Sequence, residues 1–166
     1  MDSRGILGST PFFNRALDSV ELDRLADAAR PVTFGRGDAL MRQRDLGEVM
    51  YVLASGTVVV CVHARGGEEV VATLKPGEVV GEMAVITGER RSATVIAKRK
   101  VTALEIGKPA IGELLVRAPT LAERFAAVVE QRFAELAARD HGSVGWLGPP
   151  EGREQVAARM MAYYSG

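Results

Sequence analysis

Two periodicities divide this chain. Behind a capping-box pair of Asp18 and Glu21, apolar residues recur at helical spacing as Leu22, Leu25, Ala26 and Ala29. Pro31 closes that helix. From Pro31 to Ile106 the pattern changes to short, β-branched runs punctuated by glycine, at residues 32–34, 39–42, 49–53, 57–63, 70–74, 79–80, 92–97 and 101–106. Gly35-Arg36-Gly37-Asp38, Ala54-Ser55-Gly56 and Arg65-Gly66-Gly67-Glu68 supply tight turns between them. Short strands at regular intervals with glycine turns predict an antiparallel jelly-roll β-barrel.

After Ile106 the helical period returns. Residues 108–117 read as a short helix with Pro109 in its first turn. A longer one begins at Ala118-Pro119 and places Leu121, Phe125, Val128, Arg132 and Leu136 along one face. The expected class is mainly β with flanking helices: a jelly-roll barrel with an N-terminal helix and two C-terminal helices. Residues 1–11, broken by glycine and ending at Pro11, read as a flexible lead-in, and Phe12 and Phe13 anchor it to the helices. Residues 12–139 then form the domain. Residues 140–166 comprise a Gly/Pro linker at 141–150 and a short amphipathic helix at 151–164 carrying Val156, Met160, Met161 and Tyr164. That last helix docks on the same domain, pairs with another subunit to give an oligomer, or is a disordered tail; the pattern does not choose.

Composition narrows the function. A chain of 166 residues buries a real core as one domain. Its formal net charge of zero provides no global field for nucleic acid or an anionic membrane. Cys61, inside Val-Val-Val-Cys-Val, reads as a small buried hydrophobe, and a single cysteine suits a reducing compartment. No apolar run is long enough to span a bilayer and no signal-peptide pattern is present, so a cytoplasmic location is expected. His63 and His141 lie far apart, without the clustered histidines and carboxylate of a metal-dependent barrel enzyme, and no nucleophile–base set accompanies them. Neither an enzyme nor a metal site is expected.

The chemistry concentrates at residues 76–97. Gly81 lets the backbone turn and approach a ligand without a Cβ in the way. Residues 82–86 suit one helical turn whose free amides face an anion. Arg91 follows ten residues after Gly81, and Ser92 and Thr94 offer hydroxyls on one face of the next strand. A guanidinium beside exposed backbone donors suits a phosphate, and the Glu82 carboxylate suits a sugar hydroxyl. Together they describe a site for a nucleotide monophosphate.

Gly81-Glu82-Met83-Ala84 followed by Arg91-Ser92-Ala93-Thr94 resembles the phosphate-binding cassette of the cyclic nucleotide-binding domain family, over residues 12–139. The resemblance implies that Glu82 binds the ribose 2′-OH and that Arg91 pairs with the cyclic phosphate, with Ser92 as its hydroxyl neighbour. It implies that the amides of Gly81, Met83 and Ala84 line the phosphate. The implied ligand is cAMP or cGMP. Residues 105–139 are similar to modules fused to bacterial potassium or mechanosensitive-type channels, where the position of Arg132 holds an arginine that stacks on the purine. A contact of that kind contributes about 0.5–2 kcal/mol. The implied function is a ligand sensor that moves its C-terminal helix and regulates a fused or associated membrane channel. The alternative is a stand-alone or degenerate member acting through protein–protein contact. A DNA-binding output would need a helix-turn-helix after the long helix, and the neutral, Gly/Pro-interrupted tail is too short for one.

Two departures from the family pattern stand out. Gln43-Arg44-Asp45 replaces the usual Gln-Gly-Asp, so Arg44 must avoid positive φ or accept strain. Arg90 replaces a proline and adds a second positive charge beside the expected phosphate site.

Overall fold

The computed structural model describes residues 1–64, 66–139 and 152–165. Three helices open the chain: α1 (Ser3–Gly8), α2 (Pro11–Asn14) and α3 (Ser19–Ala28). The reciprocal box is formed at α3: the Asp18 side chain accepts from the Glu21 amide at 2.8 Å, and Glu21 accepts from the Asp18 amide at 2.9 Å. Strands follow as β1 (Arg30–Phe34), β2 (Ala39–Met41), β3 (Val49–Ser55), β4 (Val58–Ala64), β5 (Gly67–Leu74) and β6 (Val79–Val80). Helix α4 (Glu82–Thr87) interrupts them before β7 (Thr94–Ala97) and β8 (Val101–Gly107). Helices α5 (Lys108–Arg117), α6 (Leu121–Arg139) and α7 (Arg153–Ser165) complete the described residues.

The strands form two antiparallel four-stranded sheets, ordered β1-β8-β3-β6 and β2-β7-β4-β5. The first sheet is covered on both faces, and side-chain alternation along its strands sorts them into two cores. Met50, Val52, Val79, Leu104 and Ile106 face the helices, together with Leu7, Phe13, Leu25, Ile111 and Phe125. Tyr51, Leu53, Val80, Val101 and Ala103 face the barrel interior, against Val58, Val60, Leu74 and Val95 of the second sheet. A strand buried on both faces reads as a continuous apolar run, which is why residues 49–53 show no polar alternation.

Residues 1–11 correct the expectation of a flexible lead-in. They hold α1 and the start of α2; the Asp2 side chain caps the Gly5 amide at 2.9 Å, and Leu7 is fully buried. The reason is tertiary: Ile6-Leu7 between two glycines carries no period, yet α1 packs on α3 and Leu7 joins the helix-side core with Leu22 and Leu25. Phe12 stacks on Phe125 of α6 and Phe13 meets the same ring edge-on, with centroids 5.8 and 6.3 Å away. The expected linker at 141–150, Arg65 of one expected turn and the side chain of Leu136 lie outside the described residues. The last helix, of open role, docks on the domain with Val156 and Met160 buried in the helix-side core.

Arg124 of α6 joins the two helical ends. Its guanidinium donates to both Glu21 oxygens, at 2.7 and 2.9 Å, and to the Ala16 carbonyl at 2.8 Å. That pairing holds the Glu21 carboxyl below its ordinary pKa, against the opposing effect of burial. A lowered native-state pKa means that ionised Glu21 contributes stability above the unfolded-state value and loses it as pH falls through the folded one. Arg124→Met is therefore expected to cost about 1–3 kcal/mol at neutral pH, the range for a hydrogen-bonded charged partner. The gap between variant and wild type should narrow as pH falls below the ordinary carboxylate value of about 4.3. Urea denaturation midpoints at pH 7 and pH 3.5 check both; a gap independent of pH would remove the pair from the account.

Candidate functional site

The site is built where β6 ends. Val80 is the last paired residue, Gly81 turns the chain at φ 79°, and α4 begins at Glu82. After Gly88 the backbone runs back toward β7 and carries Arg91 inward. Arg91 Nη1 donates to the Gly81 carbonyl at 3.0 Å and Nη2 to the Val49 carbonyl at 2.7 Å. The guanidinium passes between two glycines: a Cβ on Gly81 would lie 2.3 Å from Nη1, and one on Gly47 would lie 2.2 Å from Cζ. Any other residue at either position forces the arginine out.

Arg91 is only 6% exposed, and among the described residues no carboxylate forms an ion pair with it. Burial lowers its pKa from the ordinary value, with Tyr51 and Asp45 opposing. Carbonyl dipoles balance part of a buried positive charge; an anion would balance it more completely. The cavity beside it, bounded by Met41, residues 81–84 and residues 89–92, has a volume of about 20 Å³. That is room for about one water.

Gly81, Glu82, Met83, Ala84, Arg91 and Ser92 thus meet around one cavity. Thr94 does not line it: its hydroxyl accepts the Gln43 amide at 2.9 Å and ties β7 to the loop after β2. Arg132 approaches from the opposite side. It reaches from α6 to form an ion pair with Glu82, and its Nη2 donates to the Val79 carbonyl at 2.7 Å. A guanidinium held by its edge on Glu82 is placed differently from one lying over a purine. On its far side lies a cavity of about 250 Å³ between α2, residues 77–79 and α6.

The loop carrying Gln43-Arg44-Asp45 bonds to Arg91 through its backbone. The Arg44 amide donates to the Arg91 carbonyl and the Arg91 amide to the Asp45 carbonyl, both at 2.8 Å. Arg44 takes the strained alternative, φ 75°. Arg90 is exposed and donates from Nη1 to the Arg44 carbonyl at 3.1 Å, so it closes the loop from outside.

Two contributors were not legible beforehand. Gly47 follows the Gln43-Arg44-Asp45 stretch, and only the fold brings it against an arginine more than forty residues away. Phe133 is, among the described side chains of α6, the one that packs against the barrel-interior cluster, whereas Val128 and Val129 pack on the helix side. Its signal was an aromatic one helical step past Arg132.

The fold is a two-sheet barrel with an arginine sunk beside a glycine turn and a glutamate at the start of the following helix. The cyclic nucleotide-binding domain family model matches residues 31–118, more than half the chain, and the protein belongs to that family. The chain is 32% identical over 124 residues to a cAMP-dependent protein kinase regulatory subunit of Mucor circinelloides, covering 71% of this chain and 29% of that one. It is 31% identical to the cyclic AMP receptor protein of Thermus thermophilus, covering 76% of this chain and 58% of that protein. Among solved structures, the regulatory domain of Toxoplasma gondii PKA with cAMP superimposes at a TM-score of 0.63 with 28% identity, over 68% of this chain and 44% of that one. The chain therefore spans less than two thirds of the length of these curated relatives.

Two outcomes follow from the geometry. Arg44→Gly should relieve left-handed strain and gain about 0.5–1 kcal/mol after glycine's entropic cost; the denaturation midpoint reads the gain, and a loss would mean the arginine side chain holds the loop. Arg132→Met should cost about 3 kcal/mol, because it leaves the Glu82 carboxylate buried without its cation. Arg132→Met with Glu82→Leu should recover most of that; a double variant no more stable than the single one would mean Arg132 acts through other contacts.

Proposed function

We propose that this chain is a cAMP-sensing regulatory module whose nucleotide binding is passed to α6. The observation that carries the reading is Arg91: a buried guanidinium that, among the described residues, donates to the Gly81 and Val49 carbonyls and forms no ion pair, close to the buried Glu82. A cyclic phosphate offers it the charge-assisted bonds that carbonyls do not. Gly81, Met83 and Ala84 line the same cavity and would supply backbone donors, with Ser92 at its rim. The Glu82 carboxylate has a second oxygen beyond the one on Arg132, and it would accept the ribose hydroxyl. The base would then lie in the barrel mouth under Phe133. Thr94 would act only indirectly, by holding the strand beside Arg91.

Arg132 gives this reading its mechanism. A ribose on Glu82 changes what α6 is attached to, so binding biases the position of α6 only as far as the ligand prefers one position over another. The relatives described above are kinase regulatory subunits and a receptor protein. They support a module that signals to a partner protein, in preference to the membrane channel suggested by residues 105–139. The cAMP in their names favours cAMP over cGMP.

Isothermal titration of the full chain with cAMP and with cGMP tests the proposal. Saturable binding is expected, tighter for cAMP. Arg91→Ala should weaken it by about 1.5–3 kcal/mol, roughly 10- to 150-fold. Wild-type affinity in that variant would sink the phosphate role. Silence with both nucleotides would leave a fold retained for protein contact, a reading that the 20 Å³ cavity favours.

A further inference from the structure

Helix α7 lies outside the residues that the family model matches, yet it packs against the cassette itself. The Tyr164 hydroxyl donates to the Val85 carbonyl at 2.8 Å, so it satisfies an acceptor in the last turn of α4. Arg159 Nη1 pairs with Glu89 at 2.5 Å. Glu89 lies two residues before Arg91 and lines the same small cavity. The Tyr163 ring sits on Gly88 so closely that a Cβ there would lie 2.7 Å from it. Lys108 Nζ at the start of α5 stands 3.8 Å from the centre of that ring, and Arg153 reaches Glu130 of α6 at 3.0 Å. Val156 and Met160 are buried beneath.

We infer that α7 is a clasp that restrains the phosphate cassette in a contracted position, so that nucleotide binding and α7 docking oppose one another. This rests on the nucleotide-binding function proposed above. A cavity of about 20 Å³ admits a phosphate only if residues 81–91 move or Arg91 turns aside. Every atom that α7 grips on the cassette, at Val85, Gly88 and Glu89, lies on that moving segment. A shift that opens the cavity must drag α7 along or break its hold. By linkage, whatever weakens α7 docking then strengthens nucleotide binding, and nucleotide weakens α7 docking by the same factor. Because α7 also packs on α6, through Arg153 and Glu130 among others, it touches both the cassette and the helix that Arg132 ties to Glu82, which makes it the natural output element of the module.

The test uses the full chain, with Arg159→Ala and Tyr164→Phe. Both changes lie outside the cavity and spare the buried apolar anchors, and circular dichroism confirms that the variants fold. Each is expected to bind cAMP several-fold tighter than wild type by calorimetry. Saturating cAMP is expected to speed hydrogen exchange of α7 amides in the wild-type chain. Equal or weaker affinity in both variants, or α7 exchange that cAMP leaves unmoved, would overturn the clasp while leaving the binding function standing. A wild-type chain that binds neither cAMP nor cGMP would overturn the binding function, and the clasp with it; the wild-type titration distinguishes the two failures.

Discussion

The arrangement depends on a guanidinium kept out of water. Removing a charge from solvent is costly, and a buried cation without a paired carboxylate persists only when the surrounding dipoles are aimed at it. Here two carbonyls do that, one at Val49 on β3 and one at Gly81 at the end of β6. Val49 belongs to the sheet that is covered on its two faces, and Gly81 directly follows the last strand of that sheet, at the start of the cassette. The glycines at 47 and 81 are consequences of the same constraint, since their missing Cβ atoms are the space the guanidinium occupies. The turn into α4, the return loop and the backbone pairing with residues 44 and 45 follow from where Arg91 must go.

The double coverage of the first sheet explains how so small a site can influence the rest of the molecule. Alternate residues of β3, β6 and β8 report to the barrel interior and to the helices. Helix α6 touches both sides: Phe125 and Val128 belong to the helix-side core, Phe133 to the barrel, and Arg132 binds Glu82 between them. Its far end is fixed through Arg124 to the capping box of α3. Helix α6 is thus tied to α3 through Arg124 in its first turn and to the cassette through Arg132 further along; under the proposed function, a ligand on Glu82 would act on a packed element of the kind that switches between discrete positions.

Helix α7 adds a second attachment to the same cassette from the opposite end. Its contacts are a hydroxyl on a carbonyl, an ion pair and an aromatic ring on a glycine, over two buried apolar side chains. Interactions of that type are each modest, as the proposed clasp requires. Arg132 acts where the cassette begins and α7 where it ends.

What the chain alone determined was everything with a local cause. The capping box at Asp18 and Glu21, the strand runs with their glycine turns, the proline-led helix at 108 and the spaced Gly-Glu and Arg-Ser pairs are written in neighbouring residues, and they carried the family. The strain at Arg44 was foreseeable as one of two options, because only a side chain with a Cβ has a choice to make there. What the tertiary structure decided were contacts between distant segments. Leu7 has no period to announce it and is buried because a gap awaits it. Gly47 matters through an arginine forty-four residues later. Arg132 was legible as a candidate, but its partner was not, since a guanidinium serves a purine face and a carboxylate equally well and only the placement of α6 selects one. The final helix carried an apolar pattern compatible with three fates, and its docking on α4 was settled by a surface that exists only once the cassette has folded.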